Sequence, residues 1–290
     1  MKAPPFEYVR AESSAHAAES LRELGADSRI LAGGQSLIPL MSIRLASPSH
    51  LIDIGRAEDL SFISADNGSV AIGAGARQWT VEHDSTVLAK TPLLAAAIGR
   101  SGQVPIRHRG TVVGSIAHGD PSAEIPAAFL ANGGSVVAER VGSTRSIPAA
   151  DFFQGAYMTA LEDDELVREV RLDVWPDRTG YAFEEFSHSH ESWPVVTAAV
   201  LVEMNGDAVA RASIVMSGVA GRPTKASEAE ANLVGQVPTA DTIADIAAIA
   251  TADLEPFSDV FGSGKYRKKV AAAMVRRALT TALSRSGGQS

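Results

Sequence analysis

Apolar positions along the first quarter of the chain follow two periods. From Ser14 to Leu24, Ala15, Ala18, Leu21 and Leu24 fall on one helical stripe, and Gly25 follows where a left-handed residue closes a helix. The segment is predicted as a helix that feeds a strand, "RIL", which runs into the bare corner "AGG". "LIDIGR" and "SVAIGAGAR" supply further short strands, with the turn "SADNG" ahead of the last. "TPLLAAAIGR" reads as a helix. In "VPIRHRGTVVGSIAHGDPSAEIPAAFLANGG" a loop of glycines and small residues precedes a helix whose start is marked by Asp120 as N-cap and Pro121 at its first position.

The strands "GSVVAER" and "LVREVRLDV" come next, and "WPDRTG" gathers Pro, Asp and Gly between two apolar segments as a linker does. A domain boundary is expected near 176 to 180. Beyond it, "VVTAAVLVEM" and "VARASIVMSGVA" are joined by "NGD", which favours an antiparallel hairpin. Two alanine-rich helices close the chain, the last with Val270, Met274, Ala278 and Ala282 at four-residue steps beside Val275 and Leu279. No internal repeat or long low-complexity tract interrupts the pattern.

Composition narrows the chemistry. With 290 residues, 45% hydrophobic and 21% charged, the chain has room for about two domains of a soluble globular protein. No apolar run approaches the ~18 to 20 residues of a membrane span, and "MKAPPFEYVRAES" lacks a signal peptide's apolar run, so a cytoplasmic protein is expected. A net charge of −8 without a dominant Lys/Arg block gives no nucleic-acid footprint. The absence of cysteine removes disulfides, thiolate metal sites, iron–sulfur clusters and cysteine nucleophiles, so redox chemistry here would need a bound organic cofactor.

Taken alone, Gly33-Gly34 reads first as a plain turn, with a second reading open beside it. Without Cβ atoms both glycines can take positive φ, and successive main-chain N–H groups then form an anion nest to which Gln35 and Ser36 add side-chain donors. "GTVVGS" supplies a second such loop in Gly110, Thr111, Gly114 and Ser115, just ahead of a helix start. One negative ligand gripped by two nests accounts for both loops, and a diphosphate suits a dinucleotide. The ordinary Rossmann fingerprint is absent: "GAGARQ" begins G-x-G but carries Gln78 where the third glycine belongs. A different dinucleotide-binding fold is expected.

"AGGQSLIPLM", "LIDIGRAEDLSFI", "IRHRGTVVGSIAHGDPSAEIPAAF", "LEDDELVREVRL" and "YRKKVAAAMVRRAL", in this order across nearly the whole chain, resemble the FAD-binding medium subunits of molybdenum hydroxylases, the group that includes aerobic carbon monoxide dehydrogenase. The resemblance implies an α+β fold: a two-lobed FAD-binding domain of the PCMH type over 1–176, with lobes of roughly 1–56 and 57–176, then a smaller domain of antiparallel sheet and helices over 177–290. It implies FAD extended between the lobes. Ala32, Gly33, Gly34, Gln35, Ser36 and Leu37 match the first FAD loop; Thr111, Gly114 and Ser115 match the second. Glu124 matches an acidic residue facing the sugar or ribityl part, and Leu166 a position near the flavin ring. The implied role is electron transfer from the iron–sulfur clusters of a small 2Fe-2S subunit through FAD to an external acceptor. Hydroxylation would fall to a large molybdopterin subunit, in a heterotrimer that dimerises.

The pattern departs from the family at three positions. Val113 replaces the first glycine of T-[IV]-G-G, Glu185 stands where a basic residue is common, and Ser192 replaces an aspartate. Several other residues carry two readings. His118 and Asp120 read as helix capping and loop structure before a metal or acid/base pair, and "HSHE" at 188–191 as a solvated loop before a metal site. Arg107, His108 and Arg109 read equally as a solvated turn or as steering for phosphate or an acidic partner. Tyr266 and Arg267 read as packing and capping before a flavin contact. No metal is assigned, and a stand-alone flavoprotein oxidoreductase and a cofactor-free scaffold subunit remain as alternatives.

Overall fold

Three short strands near the start pair in parallel, β1 (Glu7–Arg10) and β2 (Ser28–Leu31) flanking β3 (His50–Asp53). The computed structural model describes residues 2–66, 68–189 and 192–286. Helix α1 (Ser14–Leu24) crosses from β1 to β2, with Ser13 Oγ accepting from the His16 amide at 3.2 Å and Gly25 closing it at φ +72°. Its buried face carries Ala17, Ala18 and Leu21 together with Ser14 and Ser20, whereas Ala15 is exposed. The predicted stripe holds at Ala18, Leu21 and Leu24, the last packed against the core, and fails only at Ala15; the buried face widens to two serines, Ser14 receiving a hydrogen bond from Arg168 at 2.6 Å. Helix α2 (Leu37–Ser42) connects β2 to β3.

A second lobe is built on a five-stranded antiparallel sheet. β4 (Ile63–Asp66) and β5 (Ser69–Gly73) form a hairpin; Asn67 of the predicted "SADNG" turn lies outside the described residues. Six short helices follow: α3 (Gln78–His83), α4 (Ser85–Lys90), α5 (Pro92–Ile98), α6 (Val104–Arg109), α7 (Val112–His118) and α8 (Glu124–Asn132). The chain returns through β6 (Gly134–Arg140), β7 (Ser143–Pro148), α9 (Ala149–Phe152), the small hairpin β8 (Phe153–Gly155) and β9 (Met158–Thr159), and β10 (Leu166–Asp173). The sheet order is β4-β5-β10-β6-β7.

The helix expected from Asp120 begins at Glu124 instead. Asp120 Oδ1 accepts from the Ser122 amide at 2.8 Å, which makes a side-chain turn two residues long rather than a helix cap. The preceding small-residue loop is itself partly helical, as α7, with Thr111 capping its start and Gly119 ending it at φ +64°. All nine residues of α8 are buried, because the helix lies between the second lobe and the following sheet.

That sheet contains β11 (Thr179–Ser187), β12 (Pro194–Asn205), β13 (Ala208–Ser217) and β14 (Thr224–Lys225) in sequential antiparallel order. The predicted hairpin is its centre. Its register splits two cores: Phe183, Ala199, Leu201 and Val215 join the core of the N-terminal lobes, whereas Ala182, Ala198, Val200, Ile214 and Met216 face α10 (Ser227–Leu233), α11 (Ala240–Thr251) and α12 (Gly264–Ser286). β12 is thereby buried on both faces, which explains its nearly unbroken apolar sequence. The "WPDRTG" segment is fastened, since Trp175 Nε1 donates to Asn132 O at 2.9 Å and the Arg211 guanidinium lies 3.7 Å from the Trp175 ring centre. No helix among the described residues is long and apolar enough to cross a membrane.

Candidate functional site

The corner after β2 and the segment ahead of α7 are separated by about eighty residues in the chain and touch in space. A Cβ placed on Gly33 would lie 2.6 Å from Gly110 Cα, and one placed on Gly114 would lie 3.7 Å from Ala32 Cβ. Only Gly34 of the first pair uses positive φ, at +73°; Gly33 is required for close approach instead. Among the described residues, no protein acceptor takes the main-chain N–H groups of Gly33, Gly34, Gln35 or Ser36. Four successive donors of this corner are thus left without a protein acceptor, the kind of group from which an anion nest is built.

The side chains contribute less than the sequence suggested. Gln35 Nε2 donates to Gly33 O at 2.9 Å and braces its own corner, while Ser36 makes no side-chain cap to α2, which opens with Leu37. Thr111 Oγ1 accepts from Gly114 N at 3.0 Å, so this hydroxyl shapes the second loop. Ser115 is half-buried one residue further along α7. Gln78, the residue that breaks the G-x-G-x-x-G pattern, supports the same loop: its main-chain N–H donates to Gly110 O at 2.9 Å, and its side chain lies 3.0 Å from where a Cβ of Gly110 would stand.

α7 packs against both α8 and β10, so the elements bearing Glu124 and Leu166 adjoin the helix that Thr111 heads. Leu166 opens β10 opposite Glu139 and is 2% exposed within the core. Glu124 opens α8 and is 6% exposed. Burial above all pushes its carboxyl up to about 7; the charges of Glu185 and Asp120 add to this, and hydrogen bonds from its own backbone and the Ser101 hydroxyl oppose it. Glu185, on β11 opposite Thr197, brings the C-terminal sheet into this carboxylate group. Val113 is 2% exposed and belongs to the apolar core, so the departure from T-[IV]-G-G fills a packing position.

The remaining candidates divide by position. The His118 ring stands 5.0 Å from that of Tyr157, a non-glycine residue at φ +58° whose amide donates to Gly119 O at 3.0 Å. Burial holds the His118 imidazole below its usual range, opposed by Asp120. Arg107, His108 and Arg109 form the end of a helix rather than a turn: Arg107 is buried with Glu82 at 2.9 Å, His108 stacks on Trp79 at 4.5 Å, and Arg109 is exposed. Arg267 is 2% exposed, donating to Gly218 O at 3.1 Å and Asp259 Oδ2 at 2.7 Å, and Tyr266 lies against Phe186. His188 meets Phe261 O at 2.6 Å, while His190 and Glu191 of "HSHE" lie outside the described residues. Sequence reasoning missed Arg77, whose guanidinium donates to Arg109 O, a contact across 32 positions that leaves no local signal.

Residues 4–175 match the family described as "FAD binding domain in molybdopterin dehydrogenase", and residues 181–282 the family described as "CO dehydrogenase flavoprotein C-terminal domain". The chain belongs to the FAD-binding medium subunits of the molybdenum hydroxylases, and FAD is its cofactor. It is 36% identical to the carbon monoxide dehydrogenase medium chain of Hydrogenophaga pseudoflava, over 97% of this chain and 98% of the relative. It is also 36% identical to the 6-hydroxypseudooxynicotine dehydrogenase complex subunit alpha of Paenarthrobacter nicotinovorans, over 99% and 97%. Among solved structures, carbon monoxide dehydrogenase from Hydrogenophaga pseudoflava superposes with a TM-score of 0.96 at 37% identity, over 98% of this chain and 99% of that one.

Proposed function

We propose that this chain is the FAD-carrying electron-transfer subunit of a molybdenum-containing hydroxylase, passing electrons from the iron–sulfur clusters of a small partner to an external acceptor. The observation that carries the reading is the contact between the two glycine-bearing loops, at a corner whose amides at 33–36 have no protein acceptor among the described residues. Bound flavin supplies an exchange between one-electron and two-electron chemistry. The protein's own task is to hold and tune it: Ala32 to Leu37 with Thr111, Gly114 and Ser115 would bind the diphosphate region, Glu124 the polar chain, and Leu166 would pack near the ring. The FAD-binding part is taken as 1–176 and the sheet-and-helix part as 177–290.

The absence of cysteine supports the division of labour, because this chain has no thiolates to hold a cluster of its own. The matched relatives carry names for different substrates at equal identity, which supports placing the hydroxylation in a large molybdopterin partner. A cytoplasmic complex, dimerised as two heterotrimers, is the assembly proposed. The cofactor-free scaffold alternative draws on Val113 standing where the family has a glycine, and its burial in the core counts against that reading.

The deciding experiment expresses the tagged chain in its native host and analyses what copurifies. One large and one small polypeptide carrying molybdenum and iron, with about one flavin per heterotrimer, is the expected result. Flavin bleaching of the isolated chain by an aldehyde, an N-heteroaromatic compound or carbon monoxide would replace this reading with the stand-alone oxidoreductase. A colourless chain would restore the scaffold.

A further inference from the structure

Arg77 lies between β5 and α3, half-buried, next to Gln78 in the broken "GAGARQ" fingerprint. Its Nη1 donates to Arg109 O, the same carbonyl that a Cβ on Gly33 would strike. A bridge between Arg77 and Thr111 continues the contact into the second loop. On its other side the guanidinium approaches the end of β3: Nη2 is 3.4 Å from the point where a Cβ of Gly55 would stand, and Asp53 Oδ1 is 2.9 Å from that point. Arg77 therefore spans the joint between the lobes, with Asp53 of the first on one side and Arg109 of the second on the other.

The charge at this joint is not balanced. Asp53, whose Oδ1 accepts from Gly55 N at 2.7 Å and Oδ2 from the Tyr8 hydroxyl at 2.6 Å, sets one negative charge against the two positive charges of Arg77 and Arg109. Among the described residues Arg77 makes no ion pair within 4.0 Å. Burial and the charge of Arg109 both work against the Arg77 cation, and Asp53 offsets them in part. The Arg77 guanidinium, on the carbonyl that Gly33 also approaches, and the exposed Arg109 charge that acts on it give the corner with the unclaimed amides a positive excess that an anion of more than one charge completes.

We propose that Arg77 is a positioning residue for the diphosphate of the flavin dinucleotide, holding the second loop against the first through the Arg109 carbonyl and, with Arg109, supplying the positive charge that the diphosphate neutralises. This deepens the FAD reading and rests on it. It predicts that the site distinguishes ligands by their diphosphate and not by their isoalloxazine ring.

The test strips flavin from the full-length chain and titrates FAD, ADP and riboflavin into the wild type, Arg77→Met, Arg77→Lys and Arg109→Met, following protein fluorescence at two salt concentrations. Arg77→Met is expected to weaken FAD and ADP at least tenfold, leave riboflavin unchanged and flatten the salt dependence of FAD binding. Arg77→Lys should recover part of the loss. Arg109→Met, which keeps the backbone carbonyl and alters only an exposed side chain, should weaken FAD and ADP several-fold. An equal loss for all three ligands in Arg77→Met, or wild-type affinities throughout, overturns the proposal while the FAD reading stands. A wild-type chain that takes up no FAD defeats both.

Discussion

Gly33 stands against the Arg109–Gly110 backbone so closely that a methyl group on it would meet Gly110 Cα at 2.6 Å. Gly34, its neighbour, is constrained by conformation instead: its φ is +73°, and the atoms nearest a Cβ there are side-chain carbons of Ile38 and Leu31 at 3.2 and 3.3 Å. The first glycine joins two loops, whereas the second shapes one.

Alanine substitution separates these roles. G34A is expected to cost about 1–2 kcal/mol through backbone strain, with most flavin retained. G33A has to drive two backbones apart, so it is expected to lower FAD affinity at least tenfold while the far sheet stays folded. Flavin absorbance per chain, read beside the thermal midpoint, checks the contrast; flavin loss that merely tracks stability in both variants would count against it.

Glu124 makes stability depend on pH in a stated direction. Its folded value of about 7 lies above the ordinary carboxylate value, so the folded apoprotein binds the extra proton. That contribution is fully present below the unfolded pKa and is lost as pH rises towards 7, levelling off above it. The difference is on the order of 3 kcal/mol. E124Q keeps the shape without the ionisation, so its urea midpoint should lose the fall with pH that Glu124 gives the wild type, leaving the opposite, smaller slope expected from the His118 imidazole held below its usual range. An unchanged slope in E124Q would assign the effect to another group.

How much of this was legible in the sequence depended on the range of the interactions. α1 was readable because its stripe and its terminal glycine are local, although the buried face also takes in Ser14 and Ser20 and leaves Ala15 outside. α7 was not, because seven residues containing Gly114 and two adjacent valines look like a loop, and only Thr111 and Gly119 signal its ends. Asp120-Pro121 imitated a helix cap because an aspartate accepts a nearby amide equally well in a turn. The two glycine-bearing loops could be found one at a time, but their contact, and the part Arg77 plays in it, exist only across the fold.

Arg267 offers a control for stability without cofactor chemistry. Its guanidinium is 2% exposed and binds Val195 O, Gly218 O and Asp259, with Phe257 against its face. R267M would leave two carbonyls and a partly exposed carboxylate without their donor, at a cost of about 3 kcal/mol. Hydrogen exchange is expected to accelerate in β12, β13 and α12, while FAD content stays near that of the wild type. Selective flavin loss in R267M would place this arginine at the cofactor instead.

Val113 decides whether the family's glycine can be restored with profit. A loop reading of T-V-V-G predicts that V113G opens the backbone to the diphosphate and tightens FAD. The structure predicts the reverse, because the valine side chain is 2% exposed and packed in the N-terminal core, inside a helix. Removing it leaves a cavity and adds a glycine to α7, for a combined loss of about 3 kcal/mol. FAD affinity should not improve, since the amide of Gly114 stays capped by Thr111 in either case. Denaturant unfolding of the apoprotein, paired with FAD titration, reads both quantities at once. A V113G chain that bound FAD more tightly at unchanged stability would show that Val113 faces the cofactor and that the core contact of α7 is misassigned.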